Sequence, residues 1–193
     1  MKFVGFDRLY GVDGEYRTPY MTRLSIGRLR LHIFHRGDAD PDCHDHPWDF
    51  WTFPLTSYVE EVVRKRVLTG SGWSYMDGPQ ETVPGGEITV YRQVVPAFQW
   101  SFRPAVHTHR VLGRYDRDTS FAAIRGAFVA GGSLPPLQVR PGRIITIVWL
   151  GRSRRKWGFL RNRDGNWCWT PWKEYVFGGG KHAPCEPGPG GSA

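Results

Sequence analysis

Two pairs of histidines carry most of the chemistry that this sequence could perform. The stretch DADPDCHDHPWDFW, residues 38–51, sets His44 and His46 one residue apart in an acidic loop broken by proline. On an extended chain, residues i and i+2 project from one face, so both imidazoles can reach a single cation without a helix to present them. His107 and His109 repeat that spacing 61 positions beyond His46. Three imidazoles, with or without a carboxylate, leave positions open for water or substrate on Fe(II), Mn(II), Ni(II) or Zn(II). One divalent transition metal is therefore the expected cofactor.

The neighbouring residues divide between chemistry and packing. Asp45 projects to the face opposite the two histidines and either braces an imidazole from behind or lies in solvent. Cys43 has no nearby base or cation in the sequence to activate it and reads as an ordinary small side chain. Among Trp48, Phe50 and Trp51 at least two are expected in the core, with Trp48 and Trp51 the candidates for a pocket wall. His35 shares a face with Leu31 and Ile33 and either approaches the metal or, as expected, is hydrogen-bonded at a strand end. Asp38, Asp40 and Asp42 alternate as in a calcium loop, but no glycine and distal glutamate follow at the required spacing.

Charge is unevenly placed. Residues 38–49 hold five aspartates and no lysine or arginine, whereas GRSRRKWGFLRNR at 151–163 is rich in arginine and holds no acid. Arg152, Arg154, Arg155 and Lys156, beside Trp157, either form a solvated face or hold an anion, and Arg110 and Arg155 are the candidate substrate contacts. A nucleic-acid partner would rest only on the net charge of +8 and the pI near 9.7.

These residues need strands to position them. The chain has 193 residues, enough for one domain with a real core, and its 24 glycines, 15 prolines and 15% aromatic content favour short strands joined by turns. RLRLHIF at 28–34 alternates with period two, EITVYRQVV and RIITIVWLG read as strands, and WDFWTFPLTSYVEEVV reads as two strands joined in a hairpin at Thr56 and Ser57. A turn is expected at Asp164-Gly165. Residues 113–142 mix polar, small-residue and proline-containing stretches without a clear period, and 178–193 read as a flexible tail after a domain spanning 1–177. No long apolar run or signal-type segment is present, so a soluble, cytoplasmic protein is expected. The three cysteines lack metal-type pairing and read as free thiols.

HIFHRGDADPDCHDHPWDFWTFPLTSYVEE, HRV at 109–111, ITIVWLGRSRRKWGF and WTPWKEY together resemble the small cupin-like proteins of bacterial and actinobacteriophage genomes, with HDHPW as the signature. The resemblance covers roughly residues 25–112 and 143–175, and it implies that 113–142, longer than the family's typical connection, is an insertion. It implies an all-β, jelly-roll type, double-stranded β-helix barrel, with His44 and His46 as ligands of the first motif and His109 of the second, His107 being the alternate. The family's glutamate, four or five positions after the second histidine, is replaced here by Phe50 and Trp51. Glu60 is then the alternate acidic ligand, and a three-histidine site, as in thiol dioxygenase-like cupins, is equally compatible. The implied function is a mononuclear metal enzyme of dioxygenase, isomerase or lyase type acting on a small molecule, with homodimerisation through edge strands as the family default. The alternative is a non-catalytic binding module or a phage structural or host-directed factor.

Overall fold

A computed structural model describes residues 3–13, 16–69, 72–77, 87–119 and 137–186. Its strands are β1 (Val4–Asp13), β2 (Tyr16–Ile26), β3 (Leu29–Phe34), β4 (Cys43–His44), β5 (Phe50–Pro54), β6 (Tyr58–Thr69), β7 (Gly72–Asp77), β8 (Glu87–Val95), β9 (Ser101–Arg103), β10 (Thr108–Tyr115), β11 (Val139–Arg140), β12 (Ile144–Leu150), β13 (Gly158–Arg163) and β14 (Asn166–Pro171). One short helix, α1 (Trp172–Phe177), follows. Among the described residues no helix is long and apolar enough to cross a membrane.

The strands form two antiparallel sheets. The first has the order β1-β2-β3-β12-β5-β9. In the second, β14-β13-β4-β10-β6 run side by side, with β8 on the free side of β6. Strands alternating between β3-β12-β5-β9 and β4-β10-β6-β8 define a double-sheet jelly roll, the architecture of cupins. Successive strands from β3 to β6 switch sheets at every step, so the expected hairpin at Thr56 and Ser57 is instead a crossover. β5 pairs with β12 and β9 while β6 pairs with β10 and β8. The two hydroxyls at this corner accept backbone N–H groups that the crossover leaves unpaired, Thr56 from Ile145 and Ser57 from Ala97.

Alternation along the strands sets what faces the barrel interior. On β12, Ile144, Thr146, Val148 and Leu150 are buried. Tyr58, Val95, Val111 and Ile144 form one core cluster with Phe34, and Phe50, Val148 and Leu150 form another with Trp48. The outer face of the first sheet is also apolar. Val4, Ile26, Leu29, Trp149, Trp51 and Phe102 are successive cross-strand partners from β1 to β9. A parallel row runs Phe6, Leu24, Leu31, Ile147 and Phe53.

The expected turn at Asp164-Gly165 joins β13 to β14, both residues having positive φ, 54° and 86°, as the tight hairpin turn requires. The close of the chain departs from expectation. Cys168 and Cys185 form a disulfide, leaving Cys43 as the free, buried cysteine. Residues 178–186 lie against the barrel rather than forming a flexible tail: Arg161 and Arg163 donate to the carbonyls of Ala183 and Lys181, and the Lys181 ammonium pairs with Asp40. Of the expected insertion, 113–115 continue β10 and β11 pairs with its end, while 120–136 lie outside the described residues.

Candidate metal centre

The two-residue strand β4 is wedged between β10 and β13, with His44 opposite His109 on one side and Phe159 on the other. Past β4 the chain is held by Asp45 N–H donating to Gly158 O and His46 N–H to Ala105 O, at 3.1 and 2.9 Å. These pins turn both side chains of the first pair toward β10. His44, His46 and His109 each offer a ring nitrogen, and the three lie within 4.8 Å of one another. Their ring centroids stand 5.2 to 5.5 Å apart, and the Nε2 atoms of His46 and His109 are separated by 3.0 Å. Two nitrogens bound about 2.1 Å from one ion at right angles would be about 3.0 Å apart. The site has an open side, because His44 and His46 are only half-buried while His109 is buried.

Behind His109 stands a fully buried carboxylate. Glu60, on β6, faces inward and accepts from His109 Nδ1–H at 2.7 Å through Oε2. Its Oε1 accepts from Gln93 Nε2 at 2.6 Å and from an Arg103 N–H at 2.7 Å. Burial alone would raise Glu60's pKa, but the neighbouring His107, the hydrogen bond from His109 and the charge of Arg103 outweigh it and hold the group well below the usual range. His107 Nε2 lies 3.7 Å from the same carboxylate. Glu60, His107 and His109 thus make a second group within ligand spacing, all three buried.

The carboxylate decides the tautomer of His109. With Nδ1–H donated to Glu60, Nε2 turns its lone pair toward His46, the carboxylate–histidine arrangement that orients metal-binding imidazoles. Burial, against the pull of Glu60, lowers the His109 pKa to about 4, and burial together with the other histidines lowers that of His46 well below its ordinary value. Both rings are neutral at pH 7, the form that ligates. The donor set fits one divalent transition ion.

Asp45 fastens the loop rather than an imidazole. Its Oδ1 accepts Gly158 N–H at 2.8 Å, and Oδ2 accepts from Arg155 at 2.6 Å and Trp169 Nε1 at 3.1 Å. Burial raises its pKa, partly offset by those hydrogen bonds. Gly158 has to be glycine, since a Cβ there would stand 2.1 Å from the Thr170 carbonyl oxygen. Aromatic rings wall the site: Phe50 lies 4.7 Å from His46, and Trp157 and Phe159 lie 6.1 and 5.7 Å from His44, centroid to centroid.

Two expected pocket residues turn away from it. Trp51 is 46% exposed on the outer face against Phe102, since the alternation that buries Phe50 must expose its neighbour. Arg110, next to inward-facing His109, points outward to Glu61 and the Asp40 carbonyl. Trp48 packs into the core. Arg155 stands beside the site but is committed to Asp45, while Arg152, Arg154 and Lys156 are exposed on the loop that Arg154 N–H ties to Pro47 O at 2.9 Å. His35 shares a 2.8 Å hydrogen bond with Thr22, the strand-end role expected of it. Asp38, Asp40 and Asp42 are engaged by Tyr20, Lys181, Tyr175 and Arg163. Gln93 and Arg103 escaped the sequence reading, for neither belongs to a motif.

Fold and site together define a jelly-roll barrel of cupin type with a candidate histidine metal centre. No protein-family model and no curated protein matches the sequence. Among solved structures, the chain is similar to Fe(II)-HppE with the alternative substrate (S)-1-HPP, at 10% identity and a TM-score of 0.37, and to FeII HppE at 11% and 0.36. In both cases the match covers 76% of this chain and 56% of the other, little more than half the length of those proteins.

Proposed function

We propose that the protein binds one divalent transition metal through His44, His46 and His109 and is a mononuclear metal-dependent enzyme acting on a small polar or anionic molecule. The observation that carries this reading is the pairing of two contacts on one ring: His109 Nδ1 engages Glu60 at 2.7 Å while its Nε2 faces His46 Nε2 at 3.0 Å. A buried carboxylate satisfied by three protein donors is poorly placed to ligate an ion itself, so Glu60 acts as the orienting partner. The bound ion would polarise a substrate oxygen or bind O2 at its open positions.

The chain's own residues would shape that chemistry. Half-buried His44 and His46 leave the solvent side of the centre reachable, and the aromatic rings of Phe50, Trp157 and Phe159 restrict water there. The exposed cations Arg152, Arg154 and Lys156 on the loop bound to Pro47 favour an anionic substrate.

The His46–His109 contact also permits a second reading, a direct imidazole–imidazole hydrogen bond in a non-catalytic binding module. Elemental analysis of protein purified without added metal, beside the His44→Ala, His46→Ala double variant, decides between them. Near-stoichiometric iron, manganese, nickel or zinc lost in the variant is expected. Wild type that stays empty after reconstitution would leave only the second reading.

A further inference from the structure

The outer face of the first sheet is apolar across all six strands, which a barrel needs only on its inside. Ten side chains of this face, counting Phe98 and Trp100 packed on Phe53, are 37% exposed or more. At roughly 100 Å2 for each such half-exposed group, they present on the order of 1,000 Å2 of apolar surface. A monomer rarely leaves a contiguous patch larger than about 300–600 Å2, whereas a stable complex takes about 800 Å2 from each partner.

Charge points to the occupant. The chain carries a net charge of +8, yet the two rows, one from β1 to β9 and the other from β1 to β5, contain no charged residue. A partner selected by electrostatic attraction would find nothing to pair with here. A second copy would, because a neutral contact keeps the repulsion between two basic chains away from the interface. The stripe also suits a twofold axis, which requires a patch to complement itself, and sheets pack face to face about 10 Å apart. We propose that this face is the interface of a homodimer in which two barrels pack sheet against sheet. It is distinct from association through edge strands. Trp51 and Trp149, opposite each other in register near the middle of the stripe, are its anchors.

Sedimentation equilibrium on the full chain between about 1 and 100 μM is the test, over the concentrations at which standard interfaces associate. The expected mass is twice the 22.1 kDa of one chain. Trp149→Lys and Leu24→Lys, made separately, should each raise the dimer dissociation constant by about a hundredfold or more. Far-UV circular dichroism should stay that of the wild type, since both side chains point away from the barrel interior. A wild-type chain that remains monomeric at the highest concentration overturns the proposal, whatever other protein it captures. So does a dimer that neither folded variant disturbs, which would place the contact on an edge strand.

Discussion

Glu60 and His109, on the adjacent strands β6 and β10, share a 2.7 Å hydrogen bond that leaves one ring nitrogen of the histidine free to ligate. The carboxylate thereby acts on the metal centre without touching the ion. Glu60→Gln keeps the shape but removes the charge, and is expected to weaken metal affinity by about 10- to 100-fold. Competition with a chromophoric chelator measures it. A loss as complete as that of His46→Ala would make Glu60 a direct ligand, and an unchanged affinity would remove it from the centre altogether.

Asp45 links the first histidine pair to β13, so it should couple metal binding to stability. Asp45→Ala leaves the Gly158 N–H and the Trp169 indole without this acceptor, and Arg155 with only the Ala105 carbonyl. Because Arg155 is about a third exposed, the expected loss is discounted for solvent to about 2 kcal/mol, read from urea unfolding of the metal-free protein. Metal affinity should fall with it, since the carboxylate fixes the backbone from which His44 and His46 project. A less stable variant with wild-type affinity would confine Asp45 to a packing role.

The histidines also make acid sensitivity a consequence of the fold. Burial and the charges of Arg23 and Arg30 lower the His32 pKa to about 3, and burial lowers that of His109 to about 4. For a base whose folded pKa lies below its unfolded value, the unfolded chain holds more protons in the interval between the two, so stability falls as pH falls. Between pH 6.5 and 4.5, above the range where Glu60 titrates, each group should cost roughly 2 kcal/mol. His32→Phe should flatten the stability profile of the metal-free protein over that interval. An unchanged slope would show that His32 charges freely in the folded state.

The reach of the sequence follows from what alternation can encode. Spacing alone put His44 and His46 on one side, and the barrel's antiparallel register brought His109 to them. Glu60 was visible only as an alternate, because its inward direction depends on β6 lying between β8 and β10, a long-range pairing without local signal. The aromatic segment at Phe50 and Trp51 was ambiguous for a different reason: β5 carries an aromatic ring inside, Phe50, and others outside, Trp51 and Phe53, so the strand shows little contrast between its two faces. Residues 178–186 depart from the expected tail because glycine and proline content hides four anchors, the carbonyls of Lys181 and Ala183, the Lys181 ammonium and the disulfide sulfur of Cys185.

The Cys168–Cys185 bond closes a loop with a sequence separation of 17 and joins β14 to the segment that packs beside Arg161 and Arg163. Closing a loop of this size in the unfolded chain is worth about 3 kcal/mol in the chain-entropy account. Reduction, or Cys185→Ser, should therefore lower the unfolding midpoint in urea by an amount corresponding to that energy. The metal ligands lie on β4, its adjoining loop and β10, so the reduced protein, still folded, should retain its metal. Cys43 supplies the control: buried, with burial the main cause pushing its thiol pKa up to about 12, it should resist alkylation in the native protein before and after reduction. Mass spectrometry after iodoacetamide should find no modification in the oxidised fold and labelling confined to Cys168 and Cys185 in the reduced fold. Labelling of Cys168 and Cys185 without any reductant would show that the bond does not form, and metal loss on reduction would show that this closure supports the centre as well as the fold.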